Sequence, residues 1–366
     1  MKRLLATVVV IVCCFGGVAE RAHWRNRAPL WPNAKYTVQD RDRAVEGGMR
    51  FIYAIARDPA AFRDNGSDLL FAFQNIATTN GNPQLAALAW TMGHERAVEW
   101  RRLNPRIPEK AEVGTVTDLI FGSDTANRLG VPDHDLDEAL RRQAANLSPT
   151  DYLGFDPEHE PPPSDFPKPC RVCGLQNARG VRFCVRCKTK LSMNSRHALF
   201  LDALVTTYSG ELFGASLGGR YSDVLRWLPQ MRPYPPHRQG DWAYYDAVYA
   251  ITHVVYTFNH YNLSKIARNC FPDEFEYLKS NLPAAIRDHD PETLGEYGDS
   301  LRAFGMTFSD ARLREAVEYL LSAQNRDGSW GNLSDKDSYD RYHTTWTAVA
   351  AIQDFQWTQV LTCPTK

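Results

Sequence analysis

Four cysteines share one short stretch, CRVCGLQNARGVRFCVRCKTKL over residues 170–191, as two Cys-x-x-Cys pairs: Cys170 with Cys173, and Cys184 with Cys187. Each pair can fold into a knuckle that sets two thiolates along one edge of a tetrahedron. Four thiolates leave no open coordination position, so the metal expected is a structural zinc. Two disulfides are the other use of the same residues, and an exported location would favour them. Lys168, Arg171, Arg179, Arg182, Arg186, Lys188 and Lys190 surround the pairs. Such a run is either a solvated face or a dock for an acidic partner or a phosphate surface.

A second group lies in YDAVYAITHVVYTFNHY, where Asp246, His253 and His260 recur every seven residues. On a helix they form one stripe, with Tyr249 and Tyr256 beside it. Two imidazoles and a carboxylate could hold zinc or iron with open positions. A neutral imidazole could instead act as a general base. The plainer alternative is a buried polar seam whose members hydrogen-bond one another. His343 adds a third imidazole, and His197, Asp202 and Glu211 follow the cysteine stretch. His94-Glu95 lacks a second histidine at metalloprotease spacing, and no nucleophile elbow, P-loop or dinucleotide glycine pattern is present.

The elements that position these groups read as helices. Apolar periodicity begins near Val38 and stops at Asp58-Pro59, and further helices are predicted over 67–78, 83–100, 115–128 and 134–146. After the cysteines, helices are predicted over about 195–213, 220–229, 241–261, 272–304, 310–324 and 342–355, with His343 at the mouth of the last. The chain thus divides into residues 1–19, a linker over 20–37, a helical block over 38–147, an extended Pro-rich linker over 148–169, the cysteine module over 170–191, and a second helical block over 195–357. The fold class expected is mainly α, with helix pairs that fit a bundle, a solenoid or a barrel of hairpins and a small metal module between them.

Among 366 residues the charges nearly cancel, at a net −1, so no nucleic-acid footprint is present. Met-Lys-Arg, the apolar run Leu4–Ala19 and the following Glu20-Arg21 read as a signal peptide cleaved after Ala19 or as a membrane anchor. Either implies an exported or membrane-anchored protein, with basic residues on both flanks leaving the side of the membrane open. Cys270 and Cys363 are left over, free or paired.

Two resemblances add to this. Cys170, Cys173, Gly174, Asn177, Phe183, Cys184, Cys187 and Leu191 match the small zinc-ribbon pattern, with Lys188 where a glycine is usual. Tyr319-Leu320, Gln324, Gly328 and Trp330 resemble the QW repeat of squalene and terpene cyclases and protein prenyltransferase β subunits, which are α/α toroids. That resemblance implies that Gln324 caps neighbouring helix ends while Trp330 stacks on it. Asp340-Arg-Tyr342-His343-Thr344 resembles the prenyltransferase Asp-x-Tyr-His-Thr motif, which makes His343 a zinc-ligand candidate. The Asp-x-Cys partner of that motif is Asp241-Trp-Ala243 here, and neither Asp-x-Asp-Asp nor Asp-Asp-x-x-Asp occurs.

The function expected is an enzyme of this toroid type. Asp246, His253 and His343 would be its site residues, with a second metal in the central cavity and an apolar, isoprenoid-like substrate. Two alternatives stand beside it: a membrane-associated scaffold that binds a partner through the basic ribbon, and a polysaccharide-active toroid enzyme.

Overall fold

The computed structural model describes residues 34–363. The leader 1–19 and most of the linker 20–37 lie outside the described residues. The protein is mainly helical: α1 (Val38–Arg57), α2 (Pro59–Thr79), α3 (Pro83–Leu103), α4 (Val113–Arg128), α5 (His134–Ala144), α6 (Pro149–Leu153), α7 (Arg196–Phe213), α8 (Tyr221–Leu225), α9 (Trp242–Phe258), α10 (Pro272–Asp288), α11 (Pro291–Ala303), α12 (Ala311–Ala323) and α13 (Ser338–Ile352). Among the described residues no helix is long and apolar enough to cross a membrane.

Local signals explain where these helices begin. Asp58, Asn82 and Asp290 each cap a helix through the side chain and are followed by proline at the first helical position. Thr37 and Ser148 form capping boxes with Asp40 and Asp151. Helices α2, α4, α7, α9, α11 and α13 contact one another in that succession, and α13 contacts α2 again. Helices α1, α3, α5, α8, α10 and α12 each pack against members of this series. A single apolar core runs through all of it, from Val45 of α1 to Ile352 of α13.

Several boundaries differ from the sequence reading, among them the helix predicted over 67–78, which begins at Pro59, and three that bear on the site. The span 272–304 is two helices, because His289 turns left-handed (φ 54°) and Asp290-Pro291 starts a new helix. The helix carrying the Asp246–His253–His260 stripe ends at Phe258, and His260, Tyr261 and Asn262 are all left-handed. His343 sits in the second turn of a helix that Asp337 caps, not at its mouth.

The stretch 148–169 is not a free linker. Leu153, Phe155, Pro157, Pro162 and Pro163 are buried, and the Pro157 carbonyl accepts from Trp227 Nε1 at 2.8 Å. Its apolar side chains give it surface to bury, so it lies along the helical body. At the other end, β1 (Lys265–Ile266) pairs in parallel with β2 (Val360–Leu361), and Cys270 and Cys363 form a disulfide.

Candidate functional site

Two helices approach each other unusually closely, and their contact builds the site. A Cβ on Gly295 of α11 would lie 2.5 Å from the Thr347 carbonyl carbon of α13, so only glycine permits this approach. One turn before Gly295, Glu292 faces His343. Glu292 Oε1 accepts from His343 Nδ1 at 3.1 Å and from Tyr249 Oη at 3.1 Å, while Oε2 accepts from Thr344 Oγ1 at 3.3 Å. Burial opposes the His343 charge, but the hydrogen bond and the charge of Glu292, with Glu296 and Asp68 behind it, raise its pKa to about 9. Burial alone would raise Glu292, and the His343 bond outweighs it and lowers its pKa. The pair is therefore an ion pair at neutral pH.

His253 lies across the same cavity and behaves oppositely. Burial lowers its pKa, so it is neutral near pH 7. Its Nδ1 is 2.8 Å from the Tyr249 carbonyl, an acceptor, so the ring proton sits on Nδ1 and Nε2 is left able to accept. Asp68 of α2 accepts from Tyr342 Oη at 2.7 Å, and burial raises its pKa against the pull of His343 and Tyr342.

These groups line two adjoining chambers. The larger, about 330 Å³, includes Asp68, Phe71, Asp202, His253, His343 and Trp346. The smaller, about 40 Å³, shares His253, Tyr261, His343 and Trp346 with it and has Glu296 and Asp299 in its wall. Glu296 Oε2 and Asp299 Oδ1 are buried without a hydrogen-bond partner. Burial raises Asp299 to about 7. Phe71 stands edge-on to Tyr261 and Trp346, with ring centroids at 4.7 and 5.7 Å. Neither chamber is lined by lysine or arginine. An outer cleft of about 730 Å³ shares Tyr249, Glu292 and Thr344 with the ion pair and carries Trp242, Tyr245, Tyr319, Asp290 and Asp340.

The sequence-predicted residues separate here. His253 and His343 line the same chambers. Asp246, two helical turns before His253, interacts with Asp202 and His197 and lines neither chamber. Asp202 is open to the cavity yet ringed by protein, and that enclosure together with Asp246 raises its pKa to about 6. His260 lies beyond the helix end and meets Tyr208 Oη at 3.1 Å. His197 meets the Met231 carbonyl at 3.0 Å, and Glu211 accepts from the Tyr221 amide. Among the described residues, the only His/Cys/Asp/Glu group of three or more close enough to hold a metal is the four cysteines. A second metal on Asp246, His253 and His343 is therefore not assembled, since Asp246 faces another neighbour. Sequence reading missed Asp68, Glu292 and Glu296. The Asp290-Pro291-Glu292 helix start was the available signal for the second of them.

The four sulfurs all lie within 4.8 Å of one another, with Cys170–Cys187 at 3.4 Å and Cys173–Cys184 at 3.6 Å. A tetrahedral centre with bonds of about 2.3 Å has sulfur edges of about 3.8 Å, so the set fits such an ion. Backbone N–H groups of Cys187 and Arg186 face the Cys184 sulfur and hold its thiol near pKa 6. Lys188 adopts φ 60°, the left-handed turn that a glycine would take more cheaply. Compared with known proteins, the chain matches no family model, no curated protein and no solved structure.

Proposed function

We propose that the closed succession α2–α4–α7–α9–α11–α13 is the inner ring of an α/α toroid, and that its central cavity is an acid–base site for a neutral substrate. The resemblance of Gln324–Trp330 to the cyclase repeat supports the toroid reading. So does its geometry: Gln324 Nε2 donates to the Ala44 carbonyl of α1 at 2.8 Å, and Trp330 Nε1 to the Leu320 carbonyl at 2.7 Å. One observation carries the functional reading. The cavity gathers Asp68, Asp202, Glu296, His253 and His343 against aromatic faces, with no lysine or arginine in its walls.

A diphosphate needs free cations to replace its water; the cation here, protonated His343, is already paired with Glu292, and the other charged groups of the walls are carboxylates. A neutral molecule that becomes cationic on protonation suits it. Asp202, with a pKa near the working range of a general acid, supplies the proton. Neutral His253 accepts one at Nε2. Asp68, Glu296 and the faces of Phe71, Tyr261 and Trp346 stabilise the positive charge that develops. A neutral isoprenoid fits these walls better than a prenyl diphosphate. The test is binding followed through tryptophan fluorescence, comparing a neutral isoprenoid alcohol with its diphosphate. The alcohol should bind, and Asp202→Asn should abolish turnover while keeping binding. Preference for the diphosphate sinks the reading.

The outer cleft favours a second reading, a saccharide substrate. Trp242 is 76% exposed beside Tyr245, Tyr319 and several carboxylates, a stacking platform with acceptors. Saturable binding of oligosaccharides, lost in Trp242→Ala, would select it.

For the cysteine module we propose a structural zinc ribbon. The sulfur spacing and the match to the ribbon pattern support this. Elemental analysis should give one zinc per chain, lost in Cys184→Ser and retained in His343→Ala. A second equivalent that disappears with His343 would restore the cavity metal.

A further inference from the structure

The ribbon carries a surface that the cavity does not use. Val172 and Val185 lie between the paired cysteines of their knuckles, as the second and the first intervening residue respectively, and are 65% and 59% exposed. Phe183, next to Cys184, is 57% exposed. Arg171 and Arg186 flank the two valines, and Arg182, Lys188 and Lys190 lie on the same turns and short hairpin. All five cations are exposed and none forms an ion pair among the described residues, whereas Arg179 at the ribbon's base is bound to Glu160 and Asp165. The base also has a fixed place. The Asn194 amide donates to Phe166 and Ser195 caps α7 directly after the ribbon. Asp202, nearly two turns into α7, lines the cavity and is close enough to Lys168 for that charge to act on it.

We propose that the knuckle end of the ribbon docks on an anionic membrane surface and holds the cavity mouth near the lipid. The cations complement anionic headgroups, and Val172, Phe183 and Val185 enter the headgroup–acyl boundary between them. A nucleic-acid backbone would meet the charges but leave the two valines in water. A protein partner needs about 800 Å² from each side, more than three apolar side chains on so small a module provide. Docking itself is independent of the cavity's chemistry. Only the delivery of a neutral, lipid-dissolved substrate rests on the function proposed above.

The test is co-sedimentation of the full chain, zinc bound, with vesicles of phosphatidylcholine alone or with phosphatidylserine added, and no substrate present. Any affinity contributed by the apolar run Leu4–Ala19 is common to both vesicles and to every variant, so the readout is the ratio between them. Each basic residue near an anionic surface is worth about fivefold in partitioning. Arg171→Ser/Arg186→Ser should therefore reduce the anionic-to-neutral ratio about 25-fold while keeping its zinc. Val172→Ser/Phe183→Ser should weaken binding to anionic vesicles severalfold with its salt dependence intact. An unchanged ratio in the arginine variant overturns the proposal. So does tight binding to an oligonucleotide or an acidic protein with none to the vesicles. Because no substrate enters the assay, failure here leaves the cavity's function standing, and failure of the isoprenoid test leaves docking standing.

Discussion

The cysteine module and the cavity gather polar groups by opposite means. The module's four sulfurs come from one continuous stretch, and its buried core is only Cys170, Cys184 and Leu191. Nothing apolar there is large enough to hold the turns together, and the proposed zinc would supply what that core lacks. The cavity's Asp68 and Tyr342 stand 274 residues apart, and the His343–Glu292 pair spans two helices. There the apolar core fixes the backbones first, and the polar groups are carried into place. With the proposed zinc, one region is organised by its ligand and the other by its walls.

The largest expected effect separates the two by removing the metal. Structural zinc binding is worth about 10–16 kcal/mol and is folding energy for such modules. Chelation or Cys184→Ser should expose residues 170–191 to protease while the far-ultraviolet helical signal stays. Joint loss of both would break the comparison. Next, Trp330→Ala should cost about 3–5 kcal/mol in denaturant unfolding, because its ring is 1% exposed and its N–H ties the end of α12. Zinc content should not change.

The third effect concerns the ion pair and has a defined sign. His343 has a folded pKa of about 9, above its ordinary 6.5, so the folded protein holds that proton more tightly. The stabilisation is complete below about pH 6.5 and is lost as pH rises through about 9, a span worth about 3 kcal/mol. Urea midpoints across that window should fall in the wild type and stay flat in Glu292→Gln. A steep fall in both would place the titration elsewhere. The smallest effect is at the ribbon's base. Arg179 is 39% exposed, so Arg179→Ala should change global stability by less than about 1 kcal/mol. A larger loss would mean that the two regions share one cooperative unit.

The same contrast explains what could be read before the structure. The Cys-x-x-Cys pairs carry their geometry in their spacing, so the module was legible residue by residue. Helix periodicity gave the mainly helical fold and most starts. The cavity was legible only in part: His253 and His343 were found because imidazoles are rare and suggestive. Asp246 was drawn in by a seven-residue repeat, yet which side of α9 meets the cavity depends on α7 and α11, which no local pattern records. Glu292 was hidden inside what read as one long helix, although Asp290-Pro291 marks the break. Asp68 and Glu296 look like ordinary helix-surface acids, and only the closing of the helices around them buries them.

The turn after α12 has one further consequence. Gly328, at φ 90°, lies so close to α1 that a Cβ there would be 2.4 Å from the Gly47 carbonyl, and Gln324 bonds the same helix at Ala44. The first and last helices of the described chain are thus neighbours, joined by a clasp of backbone and side chain rather than by a peptide bond. Among the described residues the succession of helix contacts closes on itself, with this clasp beside the α13–α1 contact. The tail beyond α13 does not pull on this clasp, because the Cys270–Cys363 disulfide and the β1–β2 pair anchor it elsewhere on the helical body.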